Sequence, residues 1–93
     1  MANLRFLKKE IDYRLEEFAF DCHMAIFVQP NKEEAIVELM SRGVELRNAL
    51  YHKANNPAEP KNRSLTKKHY AALPRDMDAS FETLFCDLAE ACK

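Results

Sequence analysis

The chain has 93 residues, a net charge of −1 at neutral pH and only one glycine. This length limits it to a single domain, residues 1–93, with one ordinary core, and its near-neutral charge creates no field that would draw it to nucleic acid or membranes. Because strand-rich folds need many turn residues with unusual backbone angles, a single glycine excludes most of them and predicts an all-α fold.

The sequence carries no stretch that is long enough to cross a membrane. Its longest apolar run, residues 24–28, is far shorter than the roughly 20 residues that a spanning helix needs. The first residues lack the apolar core of a signal peptide. The three cysteines are an odd number without close pairing, which favours reduced thiols over a disulfide framework. We therefore expect a cytoplasmic protein.

A first helix is predicted from Leu4 to Val28, capped by Asn3 and stopped by Pro30. At about 100° per residue, one side of this helix collects apolar side chains within roughly 80°. Such a stripe is typical of the side of a helix that faces a core, so we expect it to meet the second and the last helix. Its members are Leu4, Leu7, Ile11, Leu15, Phe18, Cys22 and Ala25.

The same helix carries a second apolar surface on its opposite side, which we call the aromatic face. It consists of Phe6, Tyr13, Phe20, Met24 and Phe27, and its aromatic residues recur every seven positions. A surface helix has one apolar side, whereas a helix that is apolar on two sides is buried between neighbours or contacts a second chain. The pattern leaves both interpretations open: burial inside one bundle, or an interface with another molecule.

A second helix is predicted to begin at Asn31, which together with Glu34 resembles a capping box. The short connection through Pro30 makes the first two helices antiparallel neighbours. Glycine inside a helix costs about 1 kcal/mol relative to alanine, so Gly43 indicates the close approach of another helix backbone. The apolar positions follow the spacing of facing antiparallel helices: Ile36, Leu39, Gly43, Leu46 and Leu50.

Turn-forming residues between about 54 and 63 predict a mobile loop. After this loop, Ser64 or Thr66 can cap a short helix. That helix is expected to end near Leu73, because Pro74 disfavours helical geometry in the residue before it.

The last helix is predicted to begin at a cap formed by Asp76 or Asp78 and to run to residue 93. The predicted fold is therefore all-α, an antiparallel helical bundle of three long helices plus one short helix. The apolar stripe of the last helix consists of Met77, Phe81, Leu84, Phe85, Leu88 and Cys92.

Side chains that commonly bind metals are not spaced for a metal site on one element. On a helix, the neighbours Cys22 and His23 point about 100° apart, and Cys86 and Cys92 about 240° apart. The sequence has no Cys-x-x-Cys or His-x-x-x-His pair. One glycine cannot form a glycine-rich phosphate loop, and no serine lies in a nucleophile elbow. We therefore expect no metal and no cofactor.

Positive charge is concentrated in what we call the basic segment. Residues 61–75 contain five cations and no acid, whereas residues 76–93 contain five carboxylates and one lysine. The acidic stretch could neutralise the basic segment, or the cations could contact phosphates with help from His69 and Tyr70. The cations are Lys61, Arg63, Lys67, Lys68 and Arg75.

The six residues from Arg47 to His52 read Arg-Asn-Ala-Leu-Tyr-His. They resemble the Arg-Asn-x-x-x-His signature of HEPN-domain ribonucleases. The resemblance implies an all-α, usually dimeric protein that cleaves RNA at a cleft between two subunits. Arg47 would then stabilise phosphate charge, and His52 would act as the acid-base group.

On a continuous helix Arg47 and His52 point about 140° apart. A structural role for Arg47 is therefore open beside the catalytic one: it could pair with a carboxylate of a neighbouring helix, or lay its stem over the core and reach solvent. The whole chain also resembles small uncharacterised all-α bacterial proteins, which implies a compact helical fold and no particular activity.

Among these possibilities we favour a non-enzymatic helical protein that acts by protein–protein association through the aromatic face. The simplest partner is a second copy, which would make the protein a homo-oligomer. RNA cleavage by Arg47 and His52 is one alternative. Weak nucleic-acid contact through the basic segment is another.

Overall fold

The computed structural model describes residues 4–56 and 61–93. In these two ranges the chain forms three α-helices, Leu4–Val28 (α1), Glu33–Asn55 (α2) and Arg63–Ala91 (α3), and a short 3-10 helix, Pro30–Lys32. The predicted all-α fold is confirmed. The predicted cap Asn3 and residues 57–60 of the predicted loop lie outside the described residues. That loop prediction was too long, because Ala54 is a buried residue of α2 and Arg63 begins α3.

The core stripe of α1 is confirmed. Leu7, Ile11, Phe18 and Cys22 are buried, and the other members are partly buried against the same core. The helix ends at Val28, because Gln29 leaves helical geometry with φ −131° and ψ 74°, and Pro30 then opens the 3-10 helix. Proline suits this first position, where its missing N–H has no helical acceptor.

The predicted capping box of α2 is wrong. Asn31 lies inside the 3-10 helix, and α2 begins two residues later with Lys32 at the cap position and no side-chain cap hydrogen bond. Asn31, which was expected to cap α2, therefore belongs to the turn between α1 and α2. The acidic residues Glu33 and Glu34 nevertheless lie in the first turn of α2, where they interact favourably with the positive end of the helix dipole.

Gly43 is buried where α2 meets α1. A Cβ atom at this position would lie 3.2 Å from Cδ1 of Leu15 and 3.2 Å from Cδ2 of Phe18. The atoms nearest to this position are side-chain carbons of α1, whereas the sequence predicted the approach of a helix backbone. Gly43 makes room for the leucine and the phenylalanine of α1.

The prediction of a short fourth helix is also wrong, because α3 is a single helix of 29 residues that contains Pro74. A proline inside a helix costs about 3 kcal/mol, since it removes one backbone hydrogen bond and crowds the preceding turn. Leu73 and Met77 lie on either side of Pro74, and both are buried. A break at residue 74 would move one of them out of the core. Burial on both sides thus explains why the helix continues.

The cap of α3 is Asn62 rather than Ser64, Thr66 or either of the aspartates proposed for the last helix. Its side-chain oxygen accepts hydrogen bonds from the backbone N–H groups of Ser64 (3.1 Å) and Leu65 (3.2 Å). These are two of the donors that have no acceptor inside the first turn of a helix.

The three helices share one core, in which the rings of Phe18 and Phe85 meet edge to face at 5.3 Å. One ion pair joins each pair of helices at the rim of this core. Their N···O distances are 2.9 Å for Arg14–Asp78, 2.7 Å for Arg42–Asp87 and 3.1 Å for Arg47–Asp12.

Candidate functional site

The aromatic face of α1 lies at the surface. Because α2 and α3 both pack against the core stripe on the other side of α1, neither of them covers this face. The interpretation that the face is buried inside one bundle is therefore wrong. The exposed fractions of its members are 61% for Phe6, 64% for Tyr13, 64% for Phe20, 48% for Met24 and 82% for Phe27.

This face is large for the surface of a small protein. If a fully exposed side chain of this kind presents about 200 Å², the five residues expose roughly 600 Å² together. The largest apolar patch on a typical monomer measures about 300–600 Å², and patches of that size often mark interaction sites. The aromatic face is thus at the upper end of what a soluble monomer usually exposes.

Polar side chains separate the aromatic rows of this face. Each row is the level of one aromatic residue along α1. Lys9 and Glu10 come after Phe6, Glu16 and Glu17 come after Tyr13, and His23 comes after Phe20. All except the partly buried Glu10 are exposed. The surface therefore alternates apolar rows with charged ones, which resembles the mixed composition of protein interfaces more than that of a core.

A polar cluster joins α1 to α2 beside the core. Its centre is the carboxylate of Asp12, which accepts hydrogen bonds from Arg47 Nε at 3.1 Å and from the Tyr51 hydroxyl at 2.7 Å. The guanidinium of Arg47 lies 4.0 Å from the centre of the Tyr51 ring, a cation–π contact. Arg47 therefore has the structural role that was open from the sequence, since it pairs with a carboxylate of a neighbouring helix.

The contacts within this cluster raise the pKa values of Arg47 and Tyr51. The hydrogen bond to Asp12 raises the pKa of Arg47, because it stabilises the charged guanidinium. Desolvation, followed by the bond to Asp12, raises the pKa of Tyr51. Asp12 was not recognised from the sequence as the partner of Arg47. The available signal was an arginine inside the apolar arc of α2, which favours either a carboxylate on a facing helix or a path to solvent for the charged group.

His52 does not belong to this cluster. It is exposed, its backbone carbonyl accepts a hydrogen bond of 3.0 Å from the Asn56 side chain, and the same nitrogen lies 3.4 Å from its Nδ1 atom. Arg47 contacts Asp12, Asn48 and Tyr51 instead. The structure thus gives the two residues of the HEPN-like motif different surroundings within one chain.

The five cations of the basic segment are all exposed. In the described parts of the chain, none of them forms an ion pair. Because α3 is one continuous helix, its acidic half points away from its basic half and cannot fold back to neutralise it. Asp78 and Asp87 pair with α1 and α2 instead.

His69 and Tyr70, which were considered part of a phosphate-binding surface, contact the end of α2. The Tyr70 hydroxyl donates a hydrogen bond of 2.9 Å to the carbonyl of Ala54, and His69 Nε2 lies 2.6 Å from the carbonyl of Lys53. The last carbonyls of a helix lack partners within it. These two side chains therefore satisfy the end of α2 and hold it against α3.

Two shallow grooves lie between α2 and α3. The larger, of about 470 Å³, is crossed by the Arg42–Asp87 ion pair. The smaller, of about 350 Å³, is lined in part by Lys53, His69 and Asp76. Within the described ranges no polar side chain is buried. Both grooves are open to solvent, whereas small-molecule sites are usually enclosed, mostly apolar clefts with a few polar groups.

The cysteines do not form a reactive centre. Cys22 is buried, and burial, assisted by the nearby Asp21, raises the pKa of its thiol to about 11. A thiol with this pKa is protonated at neutral pH and is a poor nucleophile and metal ligand. Cys86 is exposed and Cys92 is partly buried. Among residues 4–56 and 61–93, no three ligand-type side chains are grouped to hold a metal ion.

Comparison with known proteins gives no family for this chain. No family model matches it, and no curated protein or solved structure matches it either. Within the described ranges, no helix combines the length and the apolar character needed to cross a bilayer. Among the described residues, five of the exposed large apolar side chains lie together on the aromatic face of α1, which is therefore the candidate site.

Proposed function

We propose that this protein acts by protein–protein association through the aromatic face of α1, and that the simplest form of this association is with itself. The observation that carries the proposal is the exposure of Tyr13, Phe20 and Phe27, which is 64% or more for each. Aromatic residues are enriched in the centres of protein interfaces. Leaving several large rings in water is unfavourable, and contact with a partner removes this cost.

The overall dimensions support the same proposal. The chain exposes 6670 Å², whereas a monomer of 10.8 kDa ordinarily exposes about 5,500 Å². Its radius of gyration is 15.3 Å, against about 12 Å for a compact domain of this length. Part of this surplus comes from the elongated shape. The surplus of about 1,100 Å² is larger than the area that one partner buries in a standard interface, about 800 Å².

The substitution Phe20→Glu tests this proposal. Phe20 lies near the middle of the aromatic face and outside the core, so a carboxylate there should disrupt association and spare the fold. We expect the dissociation constant of the dimer to rise at least about a hundredfold, because both copies lose a central aromatic contact. Solution mass from light scattering over a concentration series measures this change, and circular dichroism checks the fold.

Leu65→Glu provides a matched control. Leu65 is an exposed apolar residue on α3 with 43% exposure, and it does not belong to the aromatic face. This variant should associate like the unmodified chain. A wild-type chain that is monomeric and binds no protein partner through α1 would overturn the proposal, as would equal effects of the two substitutions.

A second candidate function is contact with a polyanion such as RNA or DNA through the basic segment. It is supported by five exposed cations that form no ion pair among the described residues. Binding of this kind should weaken steeply with salt. The double variant Lys67→Glu, Lys68→Glu should weaken it further, while Lys8→Glu on α1 should change it less. Affinity that is indifferent to salt and to these charges would reject this candidate.

A further inference from the structure

We propose that the occupant of the aromatic face is a second copy of this chain, lying antiparallel to the first, with Phe20 on the two-fold axis. This inference rests on the proposed function, because it names the partner and the register for the same surface. In this arrangement, residues equally far from Phe20 on either side lie level with each other across the interface. Tyr13 of each copy therefore faces the partner's Phe27.

The spacing of the face favours a second copy as the occupant. A two-fold interface uses the same patch on both partners, so the patch must be complementary to itself. Rows repeated every seven residues, about 10.5 Å apart along a helix, meet identical rows of a second copy without mismatch. Several registers align the aromatic rows in this way. They differ in which charged side chains between the rows meet across the interface, and this difference selects the register.

The area is sufficient for such a dimer. The part of the face between Tyr13 and Phe27 covers about 21 Å of helix and exposes roughly 500 Å². A standard interface buries about 800 Å² on each partner. Exposed side chains beside these rows, Glu16, Glu17 and Val28 among them, can supply most of the difference. The result is a modest interface, which predicts an equilibrium between monomer and dimer rather than an obligate dimer.

The charges between the rows are compatible in this register. Glu16 and His23 lie on one flank of the aromatic rows, and Glu17 and Met24 lie on the other. Two antiparallel helices related by a two-fold axis bring the same flank of each helix together. Glu16 therefore lies beside the partner's His23. On the other flank, Glu17 lies beside the partner's Met24. No two carboxylates from the polar rows between Tyr13 and Phe27 meet.

Three other pairings that align the aromatic rows bring carboxylates together. A two-fold axis midway between Tyr13 and Phe20 places Glu16 against the partner's Glu16, and Glu17 against the partner's Glu17. An axis at Tyr13 places Glu10 against the partner's Glu17, and the attraction between Lys9 and the partner's Glu16 only offsets this repulsion. A parallel pair places Glu16 against the partner's Glu17. Because like charges repel and such contacts suppress wrong pairings, these three pairings are disfavoured. An axis midway between Phe20 and Phe27 brings no carboxylates together, but it leaves Tyr13 without an aromatic residue opposite it. The axis at Phe20 is therefore favoured.

Cross-linking of single cysteines tests the register. In the full chain carrying Cys86→Ser and Cys92→Ala, the buried Cys22 is protected, and Tyr13→Cys and Phe20→Cys are introduced separately. A short bis-maleimide should link two Phe20→Cys chains several-fold more efficiently than two Tyr13→Cys chains, because only residue 20 meets itself. The background without a new cysteine should give no linked dimer.

A second measurement keeps all four aromatic residues of the face. Glu17→Cys and Met24→Cys are prepared as separate chains in the same background. Each alone should cross-link poorly, and an equal mixture should give linked heterodimers, because residue 17 lies beside the partner's residue 24. A parallel pair would instead place residue 17 beside the partner's residue 16, and the mixture would then give no preferred heterodimer.

Each contrary result has a distinct meaning. Linking of Tyr13→Cys alone would move the axis to Tyr13, and linking of both single variants would indicate a parallel pair. Dimers by light scattering in which neither single variant nor the mixture links would overturn this inference while leaving association intact. Monomers at every concentration would remove the self-association in the proposed function as well.

Discussion

At the residue scale, the carboxylate of Asp12 holds the contact between α1 and α2 at one edge of the core. Both of its oxygens are used, one by Arg47 and the other by Tyr51. The Tyr51 hydroxyl also lies 3.3 Å from the backbone carbonyl of Lys8. Loss of this carboxylate would remove the acceptor of Arg47 Nε and leave the Tyr51 hydroxyl only the longer contact with the Lys8 carbonyl, which weakens the contact between α1 and α2.

Asp12→Ala should therefore lower the melting temperature by roughly 5 °C. Asp21→Ala is the matched control, because Asp21 is an exposed aspartate of the same helix and the two substitutions change helix propensity equally. The control should shift the melting temperature by less than about 2 °C. Thermal unfolding followed by circular dichroism distinguishes the two. Equal shifts would mean that the cluster does not stabilise the fold.

The role of Arg47 also gives a prediction for RNA cleavage. Since Asp12 holds Arg47 away from the surroundings of His52, we expect no cleavage of structured RNA that depends on this pair. Purified wild-type chain and the double variant Arg47→Ala, His52→Ala should leave the RNA equally intact. Cleavage by the wild type that the double variant lacks would instead support the HEPN-like function.

Cys22 should make the stability of the protein depend on pH in the alkaline range. Its pKa is about 11 in the folded state and about 9.0 ordinarily. Between these values the unfolded chain releases the thiol proton and the folded chain retains it. The thiol's stabilising contribution is thus complete below pH 9 and declines as pH rises to 11, by up to about 1.4 kcal/mol per pH unit.

Urea unfolding at several pH values, compared between wild type and Cys22→Ala, measures this contribution. The variant starts from a different stability because it loses packing, but its free energy of unfolding should fall less steeply above pH 9. Parallel curves for the two proteins would show that the Cys22 thiol ionises normally in the folded state.

At the scale of whole elements, α3 gains its continuity from tertiary packing and not from its own sequence. The buried residues Leu73, Met77 and Phe81 are spaced four apart across Pro74, so a single straight helix can keep all three in the core. The proline ring lies on the exposed side. The local preference for a break is weaker than the combined burial on both sides of it.

Pro74→Ala should consequently stabilise the protein by about 1–3 kcal/mol, because it restores one helical hydrogen bond and removes the crowding of the preceding turn. Pro30→Ala is the control. Proline at the first position of the 3-10 helix removes no helical bond, so its replacement should bring no gain. Chemical denaturation measures both. An unchanged stability of Pro74→Ala would mean that α3 is interrupted at this residue in solution.

The outcome at the two helix starts explains what local sequence can and cannot predict. The limits of α1 followed from a cap residue and a stop residue, and its core stripe followed from the periodicity of its apolar residues. Both are local properties. The caps predicted at Asn31, Ser64 and Thr66 were wrong. Each of these residues is able to cap a helix, but the chain enters its helices at other positions. The entry point depends on the turn geometry and on packing, which involve residues distant in sequence.

The aromatic face was recognised from the same periodicity, but its exposure was not. A helix that is apolar on two sides is compatible with burial or with an interface, and the choice depends on how many elements surround it. A fourth helix could have covered the face. The described chain has three α-helices, because residues 64–73 and the last helix form one element.

At the scale of the whole molecule, the elongated shape determines what association can look like. The chain measures 51 × 19 × 15 Å, and the aromatic face lies along its length on α1. Two copies that pair through this face must lie side by side. Contact through the ends of the helices would instead produce a rod of about twice the length.

Small-angle X-ray scattering distinguishes these shapes. Phe20 lies about 13 Å from the end of the molecule where Gln29 contacts Cys92, so two copies related by an axis at Phe20 are staggered. Such a side-by-side dimer should have a maximum dimension of roughly 75 Å, longer than the 51 Å of one copy. Phe20→Glu at the same concentration should return both the mass and the radius to the values of a monomer. A dimer whose maximum dimension approaches twice 51 Å would show that the copies meet at their ends, and the aromatic face would then require a different partner.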